Sequence, residues 1–221
     1  MNSVAAPVAG LTTSTNDKPM LQRVSEIAGG PLAEAASRID REGYYPLDIM
    51  ARLAKVGAFG AHLDRRGADF GLALAATSEI ARSCGSTGFL AWCHNVCGLY
   101  MEQSENPALL ARLSDHVEGR RFGGTALSNP MKAMAGIEPM LLRAQRVPGG
   151  YRVSGSLPWV SHIAPGQYCG AIAGVDRADG SRSHEIMFLL DLDERVELRH
   201  CPEFSGMEGT STWGICLTDY F

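Results

Sequence analysis

Between residues 20 and 119 apolar side chains recur three and four positions apart, the period of a helix packed on one side. Leu21, Val24, Ile27 and Ala28 mark a first face, which Gly29-Gly30-Pro31 is expected to interrupt. Pro46 opens a second helix, with Ile49, Met50, Leu53 and Ala54 facing inward and Gly57 placed to end it. Asp69 is placed to cap a third, in which Leu72, Ala75, Ala76 and Ile80 share a side. Cys84-Gly85-Ser86-Thr87 breaks the pattern and offers Ser86 or Thr87 as the next cap. Phe89, Leu90, Cys93, Val96, Cys97 and Tyr100 then follow on a broadly apolar helix. A last one starts at Asn106-Pro107 and runs through Leu109, Leu110 and Leu113 to Gly119.

Near residue 120 the period falls toward 2. Val147-Pro148-Gly149-Gly150-Tyr151 is a turn between two strand-like runs, which predicts a hairpin over 140–154. Further strands are predicted at 168–175, 185–192, 196–200 and 213–218, with a polar hairpin loop at 176–183. Helices first and strands second give an α+β fold with segregated units. The expectation is a loose tail at 1–19, an N-terminal all-helical domain at 20–119, and a small antiparallel β-barrel or sandwich domain at 120–221.

Composition narrows the partners. Of 221 residues, 45% are hydrophobic and 20% charged, the mix of a globular protein. A net charge of -4 gathers no phosphates, so nucleic acid is not expected. No apolar run is long enough for a membrane helix, and the first basic residue, Lys18, is too late for a secretory signal. The six cysteines form no disulfide framework, and a cytoplasmic, reduced setting is expected. Cys93, His94 and Cys97 lack further ligands for zinc, so no metal is expected and two apolar thiols on a buried helix are the better reading. No serine elbow, Walker motif or Gly-x-Gly-x-x-Gly sequence is present.

Three segments carry more. Gly124-Thr125-Ala126-Leu127-Ser128-Asn129-Pro130, Trp159-Val160-Ser161-His162 and Gly206-Met207-Glu208-Gly209-Thr210-Ser211-Thr212 resemble, in order and separation, the Ala-Leu-Thr-Glu-Pro, Trp-Ile-Thr-Asn and Gly-Met-Arg-x-Ser-x-Thr segments of the acyl-CoA dehydrogenase family. Tyr45-Pro46 with Gly57, Gly67-Ala68-Asp69 and Ile80-Ala81-Arg82 are similar to that family's helical N-terminal domain. The resemblance covers about residues 20 to 221.

It implies a flavoprotein oxidoreductase that desaturates an acyl thioester with FAD. Thr125, Leu127 and Ser128 would lie along the polar edge of the flavin ring, Trp159 and Val160 beside it, and the Ser161 hydroxyl would reach toward N5. Donors at such an edge stabilise charge gained on reduction. Thr210 to Thr212 are expected to start a strand with a positional role, and His162 to point to solvent. The family's third, C-terminal helical domain, which carries its catalytic glutamate, is expected to be absent, so no catalytic residue is nominated here. The resemblance further implies a small-molecule substrate such as an acyl-CoA, an electron partner (electron-transfer flavoprotein or a flavin reductase), and a homo-oligomer when complete. Met131-Lys132-Ala133-Met134-Ala135-Gly136 replaces the family's Gly-Ala-Gly-Ser-Asp loop. That departure keeps open a flavin-dependent monooxygenase on the same fold, and beside it a non-catalytic truncated module.

Overall fold

A computed structural model describes residues 18–221 apart from 178 and 202. Residues 1–17 of the expected tail lie outside the described residues, and its last two, Lys18 and Pro19, already belong to a helix. The helical part comprises α1 (Lys18–Ile27), α2 (Ala33–Glu42), α3 (Leu47–Lys55), α4 (Phe70–Ser83), α5 (Gly85–Gln103), α6 (Pro107–Leu110) and α7 (Leu113–Val117). Asp69 caps α4 as expected, its Oδ1 accepting the Leu72 N–H at 2.8 Å. Asn106 does the same for α6 through Ala108 N–H.

Two expectations fail for identifiable reasons. Gly29-Gly30-Pro31 does not interrupt the first helix. It is carried by a single π-helical turn, Ala28–Leu32, that joins α1 to α2. Proline has no N–H and its ring collides with the carbonyl four residues back, and a widened turn accommodates both. Ser86 and Thr87 do not cap α5, because Cys84 holds the extended position before it. Both hydroxyl residues are instead buried inside its first turn.

The sheet comprises β1 (Gly123–Ala126), β2 (Arg143–Val147), β3 (Gly150–Val160), β4 (Tyr168–Asp176), β5 (Arg182–Asp191), β6 (Val196–His200) and β7 (Trp213–Tyr220), with a short helix α8 (Ser128–Met134) after β1. The sheet is one curled half-barrel, and it is mixed where an antiparallel one was expected. β1 and β2 lie end to end along one edge of β4, both parallel to it, in the registers Gly123↔Tyr168 and Arg143↔Gly174. β5 pairs antiparallel on the other edge of β4, while β3, β7 and β6 extend the sheet antiparallel beyond β2. Parallel pairing needs a crossover, and α8 with the β2–β3 hairpin supplies the connection between β1 and β4. Sequence periodicity carries no information on which non-consecutive strands meet.

Two apolar cores result. One lies among α1 to α5, around Leu32, Ile39, Met50, Leu53, Phe59 and Ile80. The other fills the concave face of the sheet, around Leu142, Val160, Ile163, Ala171, Leu190 and Ile215. α5 is buried on most of its circumference because it lies against both α4 and β1.

Candidate functional site

Thr125, Leu127 and Ser128 follow one another from β1 into the start of α8, and Met131 stands one turn further on. Across from them β3 ends after a register shift between Leu157 and Val160. Trp159 points out and is 45% exposed, Val160 points into the sheet core and is fully buried, and Ser161 points out again. Thr125 and Ser161 are bridged as antiparallel neighbours. The approach is so close that a Cβ on Gly124 would lie 2.3 Å from the Ser161 carbonyl oxygen, which explains the glycine.

Five of the six sequence-nominated residues therefore line one cleft of about 520 Å³: Thr125, Leu127, Ser128, Trp159 and Ser161. The Val160 side chain is turned away from it. α5 supplies a second wall that the sequence reading did not nominate. Phe89 and Trp92 stack there with ring centres 5.5 Å apart and planes 22° from parallel, and Tyr100 follows further along the same helix. The recurrence of aromatics at 89, 92 and 100 along one helix was the available signal. The lining contains no charged side chain.

Hydroxyl groups order the polar edge. Tyr100 Oη lies 3.1 Å from Thr125 Oγ1, and burial pushes the phenol up, so it stays protonated. Thr210 donates to the Met207 carbonyl at 2.8 Å. Thr212, 2.8 Å from Thr210 Oγ1, must then donate to it, and Ser161, 2.7 Å from Thr212 Oγ1, must donate in turn. Ser161 thus spends its proton away from the cleft and presents lone pairs to it. Thr210 is the end of a short 3-10 turn and the strand begins only at Trp213, so the threonine segment is an anchor ahead of β7 rather than its start. His162, Met207 and Ser211 adopt left-handed backbone conformations, with φ of 61°, 68° and 45°. Hydrogen bonds from His162 N to Thr210 O and from Ile163 N to Ser211 O hold them there.

Asn129 is a buried clamp. Its amide donates to Glu138 Oε1 and Pro139 O, and its Oδ1 accepts the Leu141 N–H, each at 2.9 Å. α8 and the return to β2 are tied together by this one side chain. The segment from Met131 to Met134, expected as a loop, is therefore helical, and it leaves Met131 62% exposed at the mouth of the cleft. His162 is also corrected: it is wholly buried, not solvent-facing. Cys93 and Cys97 are buried as expected, and burial pushes the Cys97 thiol up to about 12.

Comparisons with known proteins agree on one family. The model of the acyl-CoA dehydrogenase N-terminal domain matches residues 14–107. Isovaleryl-CoA dehydrogenase of Solanum tuberosum is 26% identical over 186 residues, which are 80% of this chain and 45% of that protein. The chain spans less than half the length of the curated relatives it matches. Butyryl-CoA dehydrogenase from Megasphaera elsdenii superposes with a TM-score of 0.83 over 96% of this chain and 58% of that one, at 17% identity. The 3-HSA hydroxylase from Rhodococcus sp. RHA1 superposes at 0.71 over 92% of this chain and 49% of that one, at 22% identity. In its helical part, its half-barrel and its sequence alike, the chain is similar to the acyl-CoA dehydrogenase family.

Proposed function

We propose that this chain forms the ring-binding wall of a flavoprotein oxidoreductase of the acyl-CoA dehydrogenase type, with Thr125, Leu127, Ser128, Trp159 and Ser161 holding the flavin of FAD. One observation carries the reading: residues nominated from two distant segments converge on one uncharged cleft with aromatic faces and a hydroxyl edge. A flat, mostly apolar ring with polar atoms along one side fits it. Phe89, Trp92 and Trp159 offer ring faces, Ser128 and Ser161 the edge. When bound, the flavin supplies a two-electron acceptor for hydride from the substrate. This chain's residues exclude water from that region and orient the ring. Ser161, with its proton committed to Thr212, accepts a hydrogen bond from the cleft, which favours a ring position that carries N–H. Val160 contributes by fixing its neighbours on the outer face.

The wall lacks the cations that a diphosphate requires, so recognition by this chain rests on the ring alone. Titrating riboflavin and FAD while following tryptophan fluorescence tests this, since Trp92 and Trp159 are two of the chain's three tryptophans. The expected outcome is saturable quenching by both, with affinities within about tenfold. Trp159→Ala should weaken both by about 1 kcal/mol. Absence of quenching would overturn the reading, and strong preference for FAD would overturn its ring-only basis.

The second reading, a flavin-dependent monooxygenase, is favoured by helix α8 standing in place of a tight glycine loop, and by likeness to a hydroxylase structure. In the first reading the electron partner is an electron-transfer flavoprotein and the substrate an acyl-CoA, and in the second a flavin reductase delivers reducing equivalents. Homo-oligomeric assembly of the whole protein is part of both.

A further inference from the structure

Three histidines far apart in sequence meet where the helical part rests on the sheet. His94 lies on α5, His116 on α7, and His162 follows β3; all are fully buried or nearly so. The rings of His94 and His116 stack with centres 3.7 Å apart. Each donates its Nε2 proton to the other's backbone carbonyl, at 2.9 and 2.8 Å. Their Nδ1 atoms are therefore acceptors: His94 takes Gly123 N–H of β1 at 3.3 Å, and His116 takes the Tyr168 hydroxyl of β4 at 2.8 Å. His162 stands edge-on to His94, its Nδ1 2.8 Å from the Tyr45 hydroxyl and its Nε2 without a partner. Every helix-to-sheet bond of the pair needs a neutral ring.

We propose that this reciprocal imidazole pair, with His162 against it, is an acid-labile clasp whose protonation releases the helical part from the sheet while both keep their secondary structure. The buried apolar residues beside the rings are Leu63, Cys97, Met101, Leu113, Val117 and Tyr168, the 208–210 turn makes a separate contact with α2 and α5, and each side has its own larger core. No carboxylate is bonded to any of the three rings among the described residues. The groups that face them are His62 from the segment before Leu63, Tyr45 from the α2–α3 turn, Phe59 and Phe122, the Cys93 and Cys97 thiols of α5, and Tyr168 of β4. Behind Tyr168, Arg112 and Arg121 lie over its ring and pair with Asp191, and Glu102 beyond His62 accepts the Asp64 and Arg65 N–H groups. A charge on any ring therefore has cations and imidazoles as neighbours and no acid. Burial holds His94 and His162 down to about 3 and His116 well below its usual value.

The sign follows. The opened form regains ordinary imidazoles and binds more protons than the closed form below about pH 6.5, so closure weakens as pH falls from there. Three rings opening together shift the equilibrium by up to about a thousandfold per pH unit, against tenfold for one.

Histidine ring NMR on the full chain between pH 7 and 4, with near- and far-UV circular dichroism on the same samples, tests the clasp. The expected result is that His94, His116 and His162 signals change together, at the pH where near-UV signal and Gly123 amide protection are lost, while far-UV signal persists. Surface His184 and His200 serve as the reference signals. His162→Asn, a residue that tolerates the left-handed backbone and does not titrate, should lower the dependence toward a hundredfold per pH unit. Rings that stay neutral through the transition would overturn the proposal. So would rings that titrate one at a time without opening, or far-UV signal lost at the same pH. Should the variant not fold, the wild-type signals alone decide.

Discussion

At the scale of single residues, the site depends on side chains whose work is to bond backbone. Asn129 makes three hydrogen bonds from a buried position and joins α8 to the chain returning toward β2. Replacing it with alanine strands the Leu141 N–H and the Pro139 carbonyl, and each buried group left unpaired costs about 1–3 kcal/mol. Asn129→Ala should therefore lower stability by about 2–4 kcal/mol in denaturant titration. It should also raise amide exchange through 128–141 more than elsewhere. An unchanged midpoint would mean that the clamp is not structural. Thr210 is the comparable residue on the other rim. Thr210→Val removes the acceptor that takes the Thr212 proton and so orients Thr212 and, through it, Ser161. It should weaken flavin quenching while leaving the denaturation midpoint within about 1 kcal/mol, because Met207 O still accepts the residue-210 N–H at 3.2 Å.

At the scale of elements, the sequence was legible wherever local chemistry decides. Asp69 shows this best, since a carboxylate one position before an apolar periodic run has few other uses. Asp69→Ala should cost about 1 kcal/mol and Asp69→Asn a few tenths, read as midpoint shifts. Equal losses with asparagine and alanine would show that charge, not the capping bond, matters. The strands after residue 140 were legible for the same reason, through alternation and the Pro148-Gly149 turn. What failed was set by tertiary contact. Ser86 and Thr87 have the chemistry of caps, yet the burial of α5 between helices and sheet draws them inside. Met131 to Met134 reads as a loop until the Asn129 clamp folds it into a helix. The pairing of β1 and β2 along one edge of β4 has no local signature at all. The cleft was half legible: its strand side came through family-like segments, while Phe89 and Trp92 looked like any apolar helix face. The histidines at 94, 116 and 162 were unreadable as a group, because only the folded chain brings them together.

At the scale of the whole molecule, two cores meet along α5, and how tightly that joint closes decides whether they act as one. β1 sits on α5 so closely that a Cβ on Gly123 would come within 2.4 Å of the Tyr168 ring and 2.7 Å of Cys97 Sγ. Both neighbours are fully buried and neither can swing away without breaking the sheet or the helix packing. Gly123→Ala must therefore separate α5 from β4 by a fraction of an ångström, and overpacking of this kind costs about 1–3 kcal/mol. Because the joint also carries the His94 bond to Gly123 N, the loss should appear as earlier separation of the two parts rather than as uniform weakening. Tryptophans report the two sides differently: Trp92 lies on α5, and Trp213 begins β7. In wild type, single-tryptophan versions that retain one or the other should give coincident denaturation curves. With Gly123→Ala the curves should part, with the Trp92 transition shifting further. Curves that shift together by the same amount would show that the joint is not the weakest contact and that the cores are coupled elsewhere.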